Sequence, residues 1–214
     1  MPKITAAKRE SRRQQILDAA RVCFSRDGFH ATTTADIVRE SGVSQGTLYL
    51  YFETKDDMVV ALADDRHQGE AFLTALAQSE PDPVQGLFLM IELYGRSLTD
   101  AQRMEARRVG IQGWAEALRN ERIHESVTGG VAKVRAAIVR LIERGQRAGE
   151  VRADVDPGAA ARIMIATFQG LILQASWGEA IELSATGRLM RRMIAGAFLT
   201  EKGLAAADAA RPKE

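Results

Sequence analysis

Hydrogen-bonding side chains are concentrated in one short stretch of the chain, GVSQGTLYLYFETK. Ser44, Gln45 and Thr47 lie within four residues of one another. Two of the three tyrosines in the sequence, Tyr49 and Tyr51, follow them. A Gln amide can hydrogen-bond to an adenine edge, a Thr methyl can contact thymine, and Ser and Tyr hydroxyls can reach phosphates. The stretch carries the groups expected of a nucleic-acid contact, although ordinary solvated residues would look similar.

The local pattern predicts that this stretch is a short helix. Taken alone, TLYLYF resembles a β-strand because it is rich in β-formers. Ser44, however, is a favourable N-cap, and Leu48 and Phe52 are four residues apart and so share a helical face. Thr54 and Asp57 then have the spacing of a cap that starts the next helix. The apolar pair should therefore be buried while the polar side chains face outward.

Two more helices are predicted before this one. Thr33 and Asp36 repeat the capping spacing, and Gly42 suits the end of the helix that they start. Ser11 is the expected N-cap of a first helix over about 12–26. Short helices that meet at a glycine-bearing turn have the layout of a helix-turn-helix.

The charge of the chain is unevenly distributed. Residues 1–26 hold seven basic and two acidic side chains, whereas the whole chain has a net charge of only +1. A basic end on a near-neutral body suggests an anionic partner at that end, although a solvated tail would explain it equally well. The side chains expected to form a basic arm that reaches phosphate or a minor groove are Lys8, Arg9, Arg12 and Arg13.

The run FSRDGFHATTTADIVRESGVSQGTLYLYFETKDDM, from Phe24 to Met58, closely resembles the DNA-binding domain of TetR-family transcriptional regulators. It shares the family's phenylalanine to Gly-Phe spacing, paired threonines, Gly-Val-Ser turn and Gly-x-Leu-Tyr helix. A Tyr-x-x-Phe region followed by lysine completes the match. Thr34 stands where an aliphatic residue is usual and Val38 where alanine is common, and both departures are mild. The rest of the chain resembles the family only in its general helical character.

The resemblance implies a ligand-responsive DNA-binding regulator, most simply a repressor, that binds a pseudo-palindromic double-stranded DNA operator as a dimer. It implies a small effector, which we expect to be largely apolar. It also implies specific contacts. Those to phosphates would come from Thr33, Tyr49, Tyr51 and Lys55, and those to bases, or through close backbone approach, from Ser44, Gln45, Gly46 and Thr47.

The expected fold is all-α, with a three-helix helix-turn-helix domain followed by a larger helical domain. We place the DNA-binding domain and its basic arm at residues 1–55 and the effector-binding and dimerisation domain at 56–202. The alanine-rich end, 203–214, is expected to be disordered. In the larger domain, helices are predicted over about 84–99, 102–120, 131–149, 157–178 and 186–200.

The resemblance implies that the last two of these helices form the homodimer interface. The final helix would expose apolar residues over more than one face, and Gly170 and Gly196 are mid-helix glycines that would permit close approach. The candidates for the effector pocket fit two interpretations, because Met and aromatic residues at helical spacing line ligand pockets and also fill ordinary cores. They are Phe88, Met90, Tyr94, Gln112, Trp114, Met164, Phe168, Gln174 and Trp177.

Other function classes receive little support from the sequence. The single cysteine, Cys23, excludes an intramolecular disulfide framework and suits a reducing cytoplasm. The three histidines match no metal-ligand spacing, and we find no catalytic triad, phosphate loop or apolar run of membrane-spanning length. We therefore expect no enzyme activity, metal, cofactor or membrane association. A helical protein-interaction module that does not bind DNA is the alternative.

Overall fold

The computed structural model of the protein describes residues 5–99 and 104–209, and this part of the chain is almost entirely helical. Beyond the helices it contains an isolated antiparallel bridge between Val151 and Leu199. The all-α fold predicted from the sequence is confirmed. The helices are α1 (Ala6–Asp27), α2 (Thr34–Ser41), α3 (Gln45–Tyr51), α4 (Lys55–Gln78), α5 (Pro83–Thr99), α6 (Met104–Glu116), α7 (Glu121–Arg147), α8 (Pro157–Ser176), α9 (Leu183–Phe198) and α10 (Glu201–Ala209).

The helices group into two compact units. Unit 1 consists of residues 1–67 and 102–129, and unit 2 consists of residues 68–101 and 130–214. Unit 1 therefore adds the first half of α4, α6 and the start of α7 to the predicted helix-turn-helix domain. Our placement of the functional domain boundary after residue 55 stays a prediction.

The core of unit 1 is built from the apolar faces of its short helices. Ile16, Phe24 and Leu48 are almost fully buried, and Phe52 is 4% exposed. Cys23 belongs to this core, where burial raises the pKa of its thiol. The cysteine is thus a small apolar core residue, as the spacing along α1 predicts.

The core of unit 2 is formed by α5, α8, α9 and the later part of α7. Val84, Leu87 and Leu141 are fully buried in it. The rings of Tyr94 and Phe168 meet edge to face, with their centroids 4.9 Å apart. This arrangement gives α5 and α8 a specific aromatic contact in addition to general apolar packing.

Two predicted helix starts are wrong. The N-cap of α1 is Thr5, whose hydroxyl accepts a hydrogen bond from the Lys8 N–H. Ser11 therefore lies inside the helix. The basic residues expected to form an arm, from Lys8 to Arg13, also belong to α1. Helix α7 starts at Glu121 and continues through the glycine pair at 129–130. Its first turns are held to α4, because the Arg122 guanidinium donates to Asp57 at 2.7 Å and Ser126 to Asp64 at 2.9 Å. These contacts offset the low helix propensity of glycine.

The expectation of a disordered tail is wrong for residues 203–209, which form part of α10. Gly203 lies so close to Glu150 that a β-carbon there would be 2.1 Å from the Glu150 carbonyl oxygen. The Thr200 hydroxyl donates to the Gly149 carbonyl at 2.7 Å and fixes the start of the helix. Residues 210–214 lie outside the described part of the chain.

Helix α8 also departs from expectation, because it is long and apolar enough to cross a membrane by length and composition alone. Only 28% of its most apolar window is buried within the chain. Ala161, Met164 and Ile172 place one face of α8 in the core of unit 2. The same helix leaves Ile163 more than half exposed, as is Trp177, the residue that caps its C-terminus.

Candidate nucleic-acid interface

Helix α3 has the cap and the buried face that the sequence predicts. The Ser44 hydroxyl accepts a hydrogen bond from the Thr47 N–H at 3.1 Å, and the two hydroxyl groups lie 2.8 Å apart. Leu48 is fully buried, and Gln45 and Tyr49 are exposed. Helix α3 therefore presents polar groups to solvent from a capped and packed scaffold.

Two side chains of α3 differ from the predicted pattern. Leu50 is 72% exposed, which the sequence pattern does not predict, since a leucine in an amphipathic helix usually belongs to the buried face. Tyr51 was expected to face outward but is only partly exposed, because its ring packs against the core of unit 1. The exposed face of α3 therefore has an apolar group beside its polar ones.

Helix α2 begins with the capping box predicted from Thr33 and Asp36. The Thr33 hydroxyl accepts from the Asp36 N–H at 3.2 Å, and the Asp36 carboxylate accepts from the Thr33 N–H at 2.9 Å. The hydrogen bonds from Thr33, helped by Arg39, lower the pKa of Asp36 from 3.8 to about 2. The Tyr49 hydroxyl lies 3.4 Å from that of Thr34, which links α3 to the start of α2.

Lys55 is bound to the main chain between α1 and α2. Its ammonium group donates to the carbonyl oxygens of Phe29 at 2.9 Å, His30 at 3.4 Å and Thr32 at 2.7 Å. It also lies 4.9 Å from the centre of the Phe29 ring. An ammonium group has three N–H donors, and these bonds account for all three.

Helix α6 holds the same connection from another direction. The Gln112 amide accepts from the Phe29 N–H at 2.8 Å and donates to the Phe24 carbonyl at 2.9 Å. One turn further on, Glu116 lies 2.9 Å from the His30 imidazole. Residues 28–32, which lead into the cap at Thr33, are therefore bonded to both α4 and α6.

The nine predicted effector residues lie in different surroundings. Phe88, Met90, Tyr94, Met164 and Phe168 pack in the core of unit 2, which matches the alternative of plain core. Gln112 is used in the bonds to the α1–α2 connection. Gln174 on α8 and Trp177, the C-cap of α8, are exposed. Trp114 lines a cavity within unit 1. Within the described residues, no group of three or more His, Cys, Asp or Glu side chains could hold a metal ion.

Two protein-family models match the chain. Residues 16–62 match the model for bacterial regulatory proteins of the tetR family, and residues 89–199 match the model for the C-terminal part of BetI-type transcriptional repressors. The chain belongs to the TetR family of bacterial transcriptional regulators. It is a ligand-responsive DNA-binding regulator of transcription, with α2 and α3 as the helix-turn-helix.

This TetR-family regulator is similar over most of its length to known relatives. It is 27% identical over 183 residues to the HTH-type transcriptional regulator TtgR of Pseudomonas putida. The aligned region covers 80% of this chain and 83% of TtgR. The structure of Salmonella enterica GusR superposes with a TM-score of 0.71 at 27% identity, covering 91% of this chain and 98% of GusR. The triclosan complex of SmeT from Stenotrophomonas maltophilia gives a TM-score of 0.75 at 24% identity, covering 89% and 93%. At this level of identity, the similarity to SmeT shows a shared fold and nothing more specific.

Proposed function

We propose that this TetR-family protein is a cytoplasmic repressor that binds a pseudo-palindromic operator as a homodimer and responds to a small, largely apolar effector. The observation that carries the DNA-binding assignment is the exposed face of α3, held by the Ser44 cap and the buried Leu48. A short capped helix that leads with polar side chains suits the major groove. The alternative of an interaction module without DNA binding is not favoured, because the helix-turn-helix family model matches residues 16–62.

The proposed contacts follow the geometry of the two helices. We assign Tyr49 to a phosphate, because its hydroxyl lies at the outer surface beside the start of α2. We assign Leu50 to an apolar contact such as a thymine methyl, because it is the largest exposed apolar group on α3. The remaining proposed contacts are to bases from Ser44, Gln45, Gly46 and Thr47, and to phosphates from Thr33 and Tyr51. For Lys55 the resemblance implies a phosphate contact, but we propose a supporting role, because its ammonium group donates to carbonyl oxygens of the α1–α2 connection.

The proposed dimer interface is the exposed apolar face of α8 and α9. Ile163, Leu189 and Met193 are each about 60% exposed although they are apolar. A β-carbon added at Gly170 or Gly196 would meet nothing within 4 Å in the chain. These glycines are not explained by packing within one subunit, and a second subunit that approaches closely would explain them.

Control by an effector requires that the ligand binds one of two conformations better than the other. The Gln112 and Glu116 side chains join α6 to the residues that precede the α2 cap. A ligand that shifts α6 would therefore disturb the support of the DNA-binding helices. We propose this connection as the path of the response.

A gel-shift experiment with the DNA upstream of the protein's own gene tests the assignment. We expect a salt-sensitive, sequence-selective complex, which Tyr49→Ala should weaken by about tenfold or more. Tyr49→Phe, which removes only the hydroxyl, should account for most of this loss if the hydroxyl binds phosphate. The absence of any selective complex with the wild-type protein would overturn the proposed function.

A further inference from the structure

The basic residues in the first turns of α1 have different surroundings within unit 1. Arg12 and Arg13 are adjacent in the sequence and carry the same charge. Successive residues of an α-helix point about 100° apart, so the two guanidinium groups are directed to different neighbours. The pair therefore shows which part of the predicted basic arm is free to meet an external anion.

Arg13 is used within the protein. Its guanidinium lies 3.3 Å from the carboxylate of Glu10 and 3.9 Å from that of Asp65 on α4. The central carbon of the same group lies 5.8 Å from the centre of the Phe52 ring, at the end of α3. Arg13 thus joins α1 to α4 and to the end of α3, and an external anion would have to compete with these contacts.

Arg12 is held beside the turn of the helix-turn-helix. Its guanidinium donates to the side-chain oxygen of Gln15 at 2.8 Å, and the Gln15 amide nitrogen donates to the Ser41 carbonyl at 2.7 Å. Ser41 is the last residue of α2, and Gly42 then begins the turn that leads to the Ser44 cap of α3. Arg12 is therefore separated from this turn by two hydrogen bonds through one side chain.

The Gln15 amide can make these two bonds in only one orientation. If it were reversed, its NH₂ group would face the Arg12 donor and its oxygen would face the Ser41 carbonyl. The Ser41 carbonyl is one of the groups that the end of a helix leaves without a partner inside that helix. Gln15 is thus fixed by the end of α2, and it in turn fixes the direction of Arg12.

Arg12 keeps donors for a further partner. A guanidinium has five N–H donors, and within the described part of the chain the Arg12 side chain makes the bond to Gln15 and no ion pair. The neighbouring carboxylates of α1, Glu10 and Asp18, each pair with another arginine. Lys8 lies one turn before Arg12 on the same helical face and is exposed. This face of α1 therefore carries positive charge that suits an anion.

The position of Arg12 relative to α2 fits the edge of a DNA major groove. Helix α2 has eight residues and is therefore about 12 Å long, which is close to the width of the groove. The proposed phosphate contacts of Thr33 and Tyr49 lie at the start of α2, where the Tyr49 hydroxyl is 3.4 Å from that of Thr34. Arg12 lies at the other end of α2. Groups this far apart can reach phosphates on opposite edges of one groove.

We propose that Arg12 contacts an operator phosphate beside the α2–α3 turn and that Gln15 is the residue that positions it. Arg13 makes no such contact. The partner that fits this surface is the backbone of duplex DNA, since a planar guanidinium can bind a phosphate through two parallel N–H groups. The inference rests on the proposed function, because it adds a contact to the operator complex.

The salt dependence of DNA binding tests the phosphate contact, because each such contact releases counterions. Gel shifts of the full chain at several salt concentrations compare Arg12→Gln with Arg13→Gln, which removes the same charge. The slope of log affinity against log salt should fall by about 0.9 for each bound subunit in Arg12→Gln and keep its wild-type value in Arg13→Gln. Equal slopes in the two variants overturn the assignment.

Circular dichroism checks that both variants are folded. Lys133→Gln, on the exposed part of α7, replaces Arg13→Gln as the control if the loss of the Asp65 contact unfolds that variant. Arg12→Gln should also weaken selective and unselective DNA binding by similar factors, because a phosphate contact carries no base information. A loss confined to the selective complex contradicts a phosphate contact.

A double-mutant cycle tests the positioning role of Gln15. Gln15→Met keeps a side chain of similar length and loses both hydrogen bonds. It should weaken operator binding by about fivefold or more when Arg12 is present, and by less than about twofold in the Arg12→Gln background. An equal loss in both backgrounds overturns the positioning role, since it would show that Gln15 acts on the turn alone.

Failure of the inference is distinguishable from failure of the proposed function. A selective wild-type complex whose salt slope does not depend on Arg12 overturns the inference and leaves the regulator intact. The absence of a selective complex overturns the proposed function. The slopes of Arg12→Gln and Arg13→Gln on a duplex of unrelated sequence then decide the inference, because phosphates are present in every sequence.

Discussion

The ammonium group of Lys55 donates to three carbonyl oxygens of the α1–α2 connection, at 2.7 to 3.4 Å. The family resemblance implies a phosphate contact for this lysine, but its donors are directed toward the main chain of its own subunit. We therefore propose that Lys55 supports DNA binding by holding the residues that lead to Thr33. Contact with phosphate would require these bonds to break first.

Replacing Lys55 with Met should weaken operator binding without changing its dependence on salt. The loss of the bonds should lower the free energy of unfolding by about 1 kcal/mol, or about 2–4 °C in the melting temperature at this chain length. The slope of log affinity against log salt should stay constant, because no phosphate contact is removed. Gel shifts at several salt concentrations measure both quantities.

Lys133→Met is the matched control, since it removes an exposed lysine from α7. It should change neither the melting temperature nor the operator affinity. A salt slope that falls by about one per subunit in Lys55→Met, and not in the control, would show a direct phosphate contact.

The difference between Ser44 and Lys55 shows which residues of the site are predictable. The Ser44 cap depends on a partner only three residues away, so it can be predicted from the local sequence. Lys55 bonds to a carbonyl 26 residues away, and Gln112 to an N–H 83 residues away. Their partners are main-chain atoms, which nearly every residue has. The sequence therefore does not indicate which of them is bonded, and only the folded structure shows it.

At the scale of helices, the capping box at the start of α2 depends on pH, because it requires the ionised carboxylate of Asp36. The Asp36 carboxylate accepts hydrogen bonds from the hydroxyl and N–H of Thr33 and from the Arg39 guanidinium, so its pKa is lowered to about 2. A lowered pKa in the folded state means that the ionised carboxylate stabilises the fold. This contribution is complete above the unfolded value of 3.8 and is lost as the pH falls toward about 2.

We therefore expect NMR titration of the Asp36 carboxyl group to give a midpoint near 2, with the Thr33 and Asp36 amide signals moving over the same range. Asp36→Asn, which keeps an acceptor but loses the charge, should remove this pH dependence of the two amide signals. A midpoint near 4 in the wild-type protein would mean that the cap does not hold the carboxylate in solution.

Helix boundaries were predictable where capping decides them and not where packing does. The start of α2 at Thr34 follows from its cap. The start of α7 does not, because Gly129 and Gly130 look like a break and the contacts of Arg122 and Ser126 with α4 keep the helix continuous. Likewise, α10 persists because Gly203 fits against Glu150, which its alanine-rich composition does not show.

At the scale of the whole molecule, we propose that a second subunit covers the exposed apolar residues of α8 and α9. Met193 is 62% exposed on α9, and the neighbouring turn carries Leu189 at 59%. These side chains are apolar, and an exposed cluster of apolar side chains is typical of an interaction surface. A second subunit would also place two copies of α3 for a two-fold symmetric operator.

Met193→Glu should convert the protein to a monomer that binds the operator poorly. Burying an unpaired carboxylate in the interface should weaken dimerisation by at least about 100-fold. Sedimentation equilibrium measures the subunit association, and gel shift measures the operator complex. Ala132→Glu adds the same charge to an exposed position on α7 and should leave both unchanged. A Met193→Glu protein that remains dimeric would contradict the assigned interface.

The bonds from Gln112 and Lys55 to main-chain atoms have a consequence for how this regulator can diverge. Every amino acid at positions 29, 30 and 32 except proline retains the main-chain groups that these two side chains bind. Substitutions at the exposed His30 can therefore occur while the main-chain bonds to Lys55 and Gln112 are preserved, whereas the side chains of Phe29 and Thr32 also pack in unit 1. The base preference that we propose for the outward side chains of α3 can change independently of those main-chain bonds. Descendants of one ancestor could in this way acquire new operators while retaining an inherited response to ligand.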